Sequence, residues 1–373
     1  MILCLRCAGP FFLLALTPPA ASGTDTPRHW PPGGITRYTI VALRHFGASA
    51  EDSRINTRGQ IVSGDLFFDG RRYRQLDGPS SSGHQQVKIC GISDTGIVAG
   101  NLTSSESGAY TVFSSQGVYW RDAQAYPLHL PPRVGGQTAF SDINSQGDLV
   151  GQIFDNGPVE EQNAHTAFLY RGGRMTILGD GSALCVNNKR QVVIERSMPG
   201  VYRFYAHDKG QDVGVGATDT FLWTRGKLRP ILTPPAYGGF NGIAGLNDSG
   251  MIAGTLATGH LSRFFTSDTI DHAAVWRDGR THDLGTLGGE SNTALGLNNQ
   301  GMVVGKSEIA LPDGRGGERT HAFFWRGGRL RDLNALLPAR SGWVLYEADA
   351  VNDRGWIVGA GNKGAFLLKL ASG

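Results

Sequence analysis

Leu297-Asn298-Asn299-Gln300-Gly301-Met302-Val303-Val304-Gly305 is one copy of a unit that recurs through the chain: an aliphatic residue, Asn, two polar residues, Gly, then an apolar triplet. The other copies begin at Ile55-Asn56-Thr57-Arg58-Gly59, Ile92-Ser93-Asp94-Thr95-Gly96, Ile143-Asn144-Ser145-Gln146-Gly147, Val186-Asn187-Asn188-Lys189-Arg190, Leu246-Asn247-Asp248-Ser249-Gly250 and Val351-Asn352-Asp353-Arg354-Gly355. That makes seven, with the Asn (or Ser93) positions 37, 51, 43, 60, 51 and 54 residues apart, the spacing of propeller blades. Each copy reads as a hairpin: the Asn side chain bonds nearby backbone amides to start the turn, and Gly supplies the positive φ that closes it. Arg190 stands where the fourth copy should have Gly, so that hairpin is expected to be the most strained or irregular.

A second hairpin follows each motif, built from an apolar strand, an Arg-Gly-Gly or Asp-Gly turn and another strand, as in Ala322-Phe323-Phe324-Trp325-Arg326-Gly327-Gly328. Two hairpins per repeat give four antiparallel strands. In this segment Phe323 and Trp325 point one way and Ala322 and Phe324 the other, so both sheet faces are apolar and need covering. Blades packed between blades satisfy that need; an open sheet with one wet face does not. The last repeat stops one strand short, while Tyr38-Thr39-Ile40-Val41-Ala42-Leu43 is an orphan strand ahead of the first repeat. The fold class expected is therefore all-β, a β-propeller of seven four-stranded blades closed by the N-terminal strand completing the last blade, paired with Ala365–Leu368.

The first 22 residues have the form of an export signal, with Arg6, the apolar run Phe11-Phe12-Leu13-Leu14-Ala15-Leu16 and the small residues Ala20-Ala21-Ser22. The division expected is 1–22 signal peptide, 23–33 a short Pro/Gly-rich lead, and 34–373 a single seven-bladed propeller, secreted or periplasmic, monomeric, with no transmembrane anchor. The 54 glycines, about one residue in seven, suit many short strands and tight turns. A net charge of +3 with no Lys/Arg block indicates neither nucleic acid nor an anionic membrane. Cys90 and Cys185 remain in the mature chain, in repeats two units apart, and read as two separate buried thiols rather than a bridge.

Asp283-Leu284-Gly285-Thr286-Leu287-Gly288-Gly289, running through the Asn298 repeat to His321-Ala322-Phe323, resembles the HAF-repeat family of bacterial exported proteins, named for that triplet. Looser versions are His165-Thr166-Ala167-Phe168 and His272-Ala273-Ala274-Val275; the resemblance spans nearly the whole mature chain and fades in repeats one, two and four. It implies export and repetition, and it carries no assigned reaction and no catalytic residues.

No acid, base, nucleophile or metal cluster stands apart from the repeat, so no catalytic residue, metal or cofactor is expected. His165, His272 and His321 open the third strand of their blades, too far from the axis to share an ion at zinc–nitrogen distances of about 2.0–2.1 Å. Gly301-Met302-Val303-Val304-Gly305-Lys306-Ser307 is one residue short of a phosphate loop and falls in a hairpin, and Gly214-Val215-Gly216-Ala217-Thr218-Asp219 reads as a flexible loop. The tight turns share one face of the ring. The long, irregular connections share the other: Asn101–Ser115, Phe154–His165, Ser197–Asp219, Leu256–Asp271 and Lys306–Thr320, with blade links bearing His84, Arg133, Tyr237, Glu290 and Arg340. Variable loops on a rigid scaffold carry binding, so those five residues are the candidate ligand-binding set. The function expected is an exported binding or scaffold module for an unidentified extracellular or envelope ligand, a glycan or a protein. The alternative is a carbohydrate-active hydrolase or lyase with acids at the propeller mouth, Asp155, Glu160 and Glu161 being the loop acids at hand.

Overall fold

Six of the seven inner strands run into a repeat Asn and the second-blade strand into Ser93, and in all seven the turn that follows is closed by the same main-chain bonds. The Asn side-chain oxygen accepts the backbone N–H groups two and four residues on, at 3.0 and 3.0 Å for Asn247 and 3.0 and 2.9 Å for Asn298. In the computed structural model, which describes residues 38–46, 52–78, 86–106, 112–129, 136–154, 165–208, 211–233, 239–261, 269–310 and 319–371, the strands form seven separate four-stranded antiparallel sheets. Blades one to six take their strands in chain order, from Arg54–Ile55 outward to Tyr73–Gln75 in blade one and from Gly288–Leu297 outward to Arg329–Asp332 in blade six. Blade seven runs outward from Leu345–Val351 through Ile357–Gly361 and Gly364–Leu370 to Tyr38–Ala42. The protein is a seven-bladed β-propeller.

Closure is by the N-terminal strand. Tyr38 lies opposite Leu370 and Ala42 opposite Phe366, and the Leu43 N–H continues the ladder to the Ala365 carbonyl at 2.9 Å. The expected partner strand is extended by one residue at its start and two at its end. Segment 1–33 lies outside the described residues. The one helical element described is a single 3₁₀ turn, Leu333–Leu336, capped by Asp332, which accepts the Asn334 N–H.

The core lies between blades, as double-sided strands require. In blade two, Ile89, Val98, Val118 and Trp120 pack toward blade one with Val62 and Leu76, while Ala99 and Tyr119 pack toward blade three with Phe140, Leu149 and Phe168. Each large aliphatic side chain so buried contributes roughly 1.5–3 kcal/mol.

Two features of the elements differ from the sequence reading. Arg190 does adopt positive φ (58°), yet its turn keeps the common hydrogen bonds, Arg190 N–H to Asn187 O and Asn187 N–H to Gln191 O. The αL strain is held locally: Arg190 Nε lies 2.8 Å from the buried Asp148 carboxylate, which Arg171 also approaches. The segment 197–219, expected as an irregular loop, is instead a β-ribbon, with Val192–Asp208 paired against Gln211–Thr224 out to Asp208 opposite Gln211. Gly214–Asp219 is strand, because the partner 196–205 satisfies its backbone.

Candidate functional site

The seven inner strands, neighbours all the way round, enclose a central channel with a cavity of about 530 Å3. The repeat motif builds one of its mouths. Beyond organising its own turn, each repeat Asn donates its Nδ2 across the seam to the main-chain carbonyl of the same position in the next blade. These contacts are Asn56 to Ser93 (2.9 Å), Asn144 to Asn187 (3.1 Å), Asn187 to Asn247 (3.0 Å), Asn247 to Asn298 (3.2 Å), Asn298 to Asn352 (2.9 Å) and, across the closure, Asn352 to Asn56 (2.8 Å). The ring of bonds is broken once. Ser93 keeps the turn by accepting the Ile97 N–H at 3.0 Å, but a hydroxymethyl group does not span to blade three.

A second ring lies one residue on. An Asp or Asn there accepts the backbone N–H of the same position in the preceding blade: Asp94 from Thr57, Asn188 from Ser145, Asp248 from Asn188, Asn299 from Asp248 and Asp353 from Asn299, at 2.8–3.1 Å. The acceptors Thr57 and Ser145 are too short, and the bond is missing where they would provide it. The seam between blades two and three therefore lacks both clasps at this mouth. It is bridged deeper, where Asn101 exchanges two hydrogen bonds with the Phe140 main chain and Cys90 donates its thiol to Phe140 O.

Just inside the mouth the wall is asymmetric. Two residues before the repeat Asn, four blades carry Gly or Ala and one carries Cys185, while blade one places Arg54 and blade three Asp142; three residues before it, blade seven places Asp349. Each reaches the neighbouring inner strand: Arg54 Nε donates to Cys90 O (3.2 Å), Asp142 Oδ2 accepts the Val186 N–H (2.9 Å), and Asp349 accepts the Ser53 N–H. At this level the charged side chains thus lie on one side of the channel, opposite a wall that includes Leu184, Ala244, Gly245, Leu295 and Gly296, while Asp94, Asp248 and Asp353 stand at the mouth and Asp271 lines the cavity beyond.

Enclosure by protein pushes the Asp142 carboxyl up to about 6, although water in the channel still reaches it. Burial drives Asp349 well above the usual carboxylate range, with the nearby Glu347 charge adding to the rise, and Asp349 Oδ2 has no hydrogen-bond partner in the protein. Burial also raises Cys90 to about 12 and Cys185 well above its ordinary value, so both thiols are held protonated. They are free thiols in blades two and four. In the outer half of the channel Asn241 donates to Asp271 at 3.1 Å, and Thr255 accepts the Ala294 N–H.

The histidines are taken up in contacts between strands. His272 Nδ1 meets Asp283 Oδ2 at 2.6 Å and its Nε2 meets Glu290 O at 3.1 Å. Acceptors on both ring nitrogens favour imidazolium, and the Asp283 hydrogen bond foremost raises its pKa. His321 pairs with Asp332 at 2.7 Å; His165 meets Ser182 Oγ at 3.0 Å, and burial lowers its pKa. Among the described residues no group of three His, Cys, Asp or Glu side chains is placed to hold a metal ion.

Of the five residues expected to bind ligand, His84, Arg133 and Tyr237 lie outside the described residues, as do the acids Asp155, Glu160 and Glu161. Glu290 sits near the start of the blade-six inner strand, its N–H donated to Glu308 and its carbonyl facing His272. Arg340 is exposed in the turn closed by the Ser341 N–H to Pro338 O bond. Neither lines the channel. The residues that do, Arg54, Asp142 and Asp349, are visible in the sequence as departures from the Gly, Ala and aliphatic residues that other repeats carry before the Asn.

No family model matches the chain, and no curated protein matches it significantly. Among solved structures it is similar to the β-propeller domain of the Trilobed protease from Pyrococcus furiosus, at 10% identity over 78% of this chain and 86% of that one, with a TM-score of 0.48. It is similar also to the acylaminoacyl peptidase of Pyrococcus horikoshii, at 11% identity over 76% of this chain and 45% of that one, with a TM-score of 0.47. A protein of unknown function from Dyadobacter fermentans aligns at 10% identity over 90% of this chain and 98% of that one, with a TM-score of 0.39.

Proposed function

We propose that this chain is an exported HAF-repeat protein, secreted or periplasmic, that works as a binding or scaffold module, with its ligand entering the central channel. The supporting observation is the one-sided channel wall. A rigid ring holds Arg54, Asp142 and Asp349 against small and aliphatic residues, a few convergent polar groups in a largely preformed concavity. Export rests on the charged, apolar and small segments of residues 1–22 and on the family resemblance. The rigid scaffold suits recognition of one face of a polar ligand, a glycan or a peptide, without chemistry.

A second reading, a carbohydrate-active hydrolase, draws on a different observation: two channel carboxyls, Asp142 and Asp349, are both held toward the protonated form, as a general acid must be. One experiment separates the two. The mature protein is passed over a panel of glycans and cell-wall fragments, and both retention and released product are measured. Retention without product, weakened in Arg54→Gln and Asp142→Asn, is the result expected. Product release that disappears in Asp142→Asn establishes the hydrolase instead, and no retention of any member sets the channel reading aside.

A further inference from the structure

The topology places thirteen tight turns, those after the first strand of every blade and after the third strand of blades one to six, on one face of the ring. Those turns and the strand ends that flank them hold fifteen Arg or Lys against seven Asp and no Glu, an excess of eight cations in a chain whose whole net charge is +3. The two signs are placed differently. Of the cations thirteen are exposed; of the acids only Asp122 and Asp278 are. The other acids are turned inward and occupied: Asp69 accepts the Arg71 and Arg72 N–H groups at 2.8 Å, Asp94, Asp248 and Asp353 form the ring at the channel mouth, and Asp148 is clamped by Arg171 and Arg190. The tight-turn face therefore presents a nearly unopposed belt of cations.

The belt deepens at one place. Between blades one and two lies a cleft of about 810 Å3 whose rim carries Arg58, Arg71, Arg74 and Arg121 together with the carboxylates Asp69 and Asp122, and whose floor is apolar, with Phe67, Leu76 and Trp120. Arg74 is paired with Asp69 at 3.4 Å. Among the described residues the Arg71 and Arg121 guanidinium groups have no partner, and both line a concavity large enough for a sugar-sized group.

We propose that this face docks a linear polyanionic glycan, one carboxylate or sulfate of which is seated between Arg71 and Arg121. The cations are mostly arginine, whose planar fork matches those groups in a bidentate way. The turn tips are Gly, Asn, Asp, Ser, Thr, Gln, Lys and Arg with one Ala, and no large apolar side chain stands at a tip to enter a membrane. Of the tryptophans at these turns, Trp120 is buried with its indole N–H donated to Asp77 O and Trp356 is half-buried with Arg354 and Lys369 over its ring, so neither offers an open platform for stacking nucleobases. The choice of an envelope polymer as occupant rests on the export proposed above; the cleft shares no lining residue with the channel.

The test measures binding of the purified mature protein to polygalacturonate and dextran sulfate, with unsubstituted dextran and a DNA duplex as the other arms, over a series of salt concentrations. Both acidic glycans are expected to bind, dextran is not, and the affinity should fall steeply with salt, as polyanion contacts do. Arg71→Gln with Arg121→Gln should weaken the glycan about tenfold, the effect of losing charge-assisted hydrogen bonds. Arg277→Gln with Arg280→Gln, in a remote turn, should weaken it by a smaller factor. Asp142→Asn, in the channel wall, should leave it unchanged, so that a failed channel ligand and a failed glycan surface give different results. These arginines are exposed turn residues, and unchanged melting certifies the variants. The proposal is overturned if the cleft pair of substitutions leaves glycan affinity intact, if dextran binds equally, or if the duplex binds more tightly than either acidic glycan.

Discussion

At the residue scale, the repeat Asn has two tasks that its amide alone can combine. Its carbonyl end closes a turn within the blade, and its NH2 end ties that blade to the next. Ser93 retains the first and forfeits the second. Ser93→Asn should therefore complete the ring by donating to Asn144 O and raise stability by about 1 kcal/mol, the net worth of an intramolecular hydrogen bond; a denaturation midpoint that stays put or falls would show that the seam does not need the clasp. Asp142 makes a prediction about pH. Its folded pKa, about 6, is raised above an unfolded value of about 3.9, so the native state binds the proton more tightly. Its contribution is fully present below pH 4 and lost as pH rises through 6. Asp142→Asn keeps an oxygen for the Val186 N–H and loses the charge, so relative to wild type it should gain stability between pH 4 and 7. The gain is bounded by about 3 kcal/mol and smaller to the extent that channel water solvates the carboxylate. Stability curves of the two proteins that run parallel across that range would refute the assignment.

At the scale of the element, the apolar triplet ends in Gly for a reason that a single strand does not reveal. Six of the seven inner strands carry a bulge at the same place, three residues before the Asn position. The bulge presses an inner-strand carbonyl against the second strand. A Cβ on Gly305 would stand 2.0 Å from Thr293 O, and one on Gly151 2.0 Å from Ala139 O. Gly305→Ala is expected to cost about 3 kcal/mol, toward the upper end for overpacking, whereas Gly242→Ala, with open space where its Cβ would lie, should change stability by less than about 0.5 kcal/mol. Equal thermal shifts for the two would mean that the bulge relaxes at little cost. The contrast also marks what could be read in advance. The Asn–Gly turns were legible because their chemistry is local, each side chain bonding its own backbone within four residues. The bulges, the clasps between blades and the channel wall were not, because Asp142 and Asp349 acquire their meaning only when registers place them beside Val186 and Ser53. The ribbon 192–224 was misread for a similar reason: its glycine-rich second strand has little strand propensity of its own and is held by its partner.

At the scale of the molecule, the ring is held shut by five residues whose partners lie more than 320 positions away in the chain. Among the contacts that join blades seven and one, two lie at the repeat turns: the Asn352 amide on Asn56 O, and the Trp356 ring, lying where a Cβ on Gly59 would come within 2.6 Å of it. Neither replaces the ladder. Without Tyr38–Leu43, the strand Gly364–Leu370 becomes an edge that presents unpaired main-chain groups beside Phe366, Leu367 and Leu368, all buried in the closed ring. Blade seven would also lose Tyr38, which is almost wholly buried. An exposed apolar edge is a template for another chain, so deleting residues 38–43 should produce concentration-dependent association as well as a lower melting temperature. Association distinguishes this from ordinary destabilisation. If the defect is the missing strand and nothing else, a peptide spanning residues 36–46, added in excess, should occupy the vacant edge, suppress the association and restore part of the melting temperature by mass action. A deletion variant that stays monomeric with unchanged melting would mean that six blades and the Asn352 clasp hold the ring unaided, and association that the peptide fails to relieve would place the damage somewhere other than the edge.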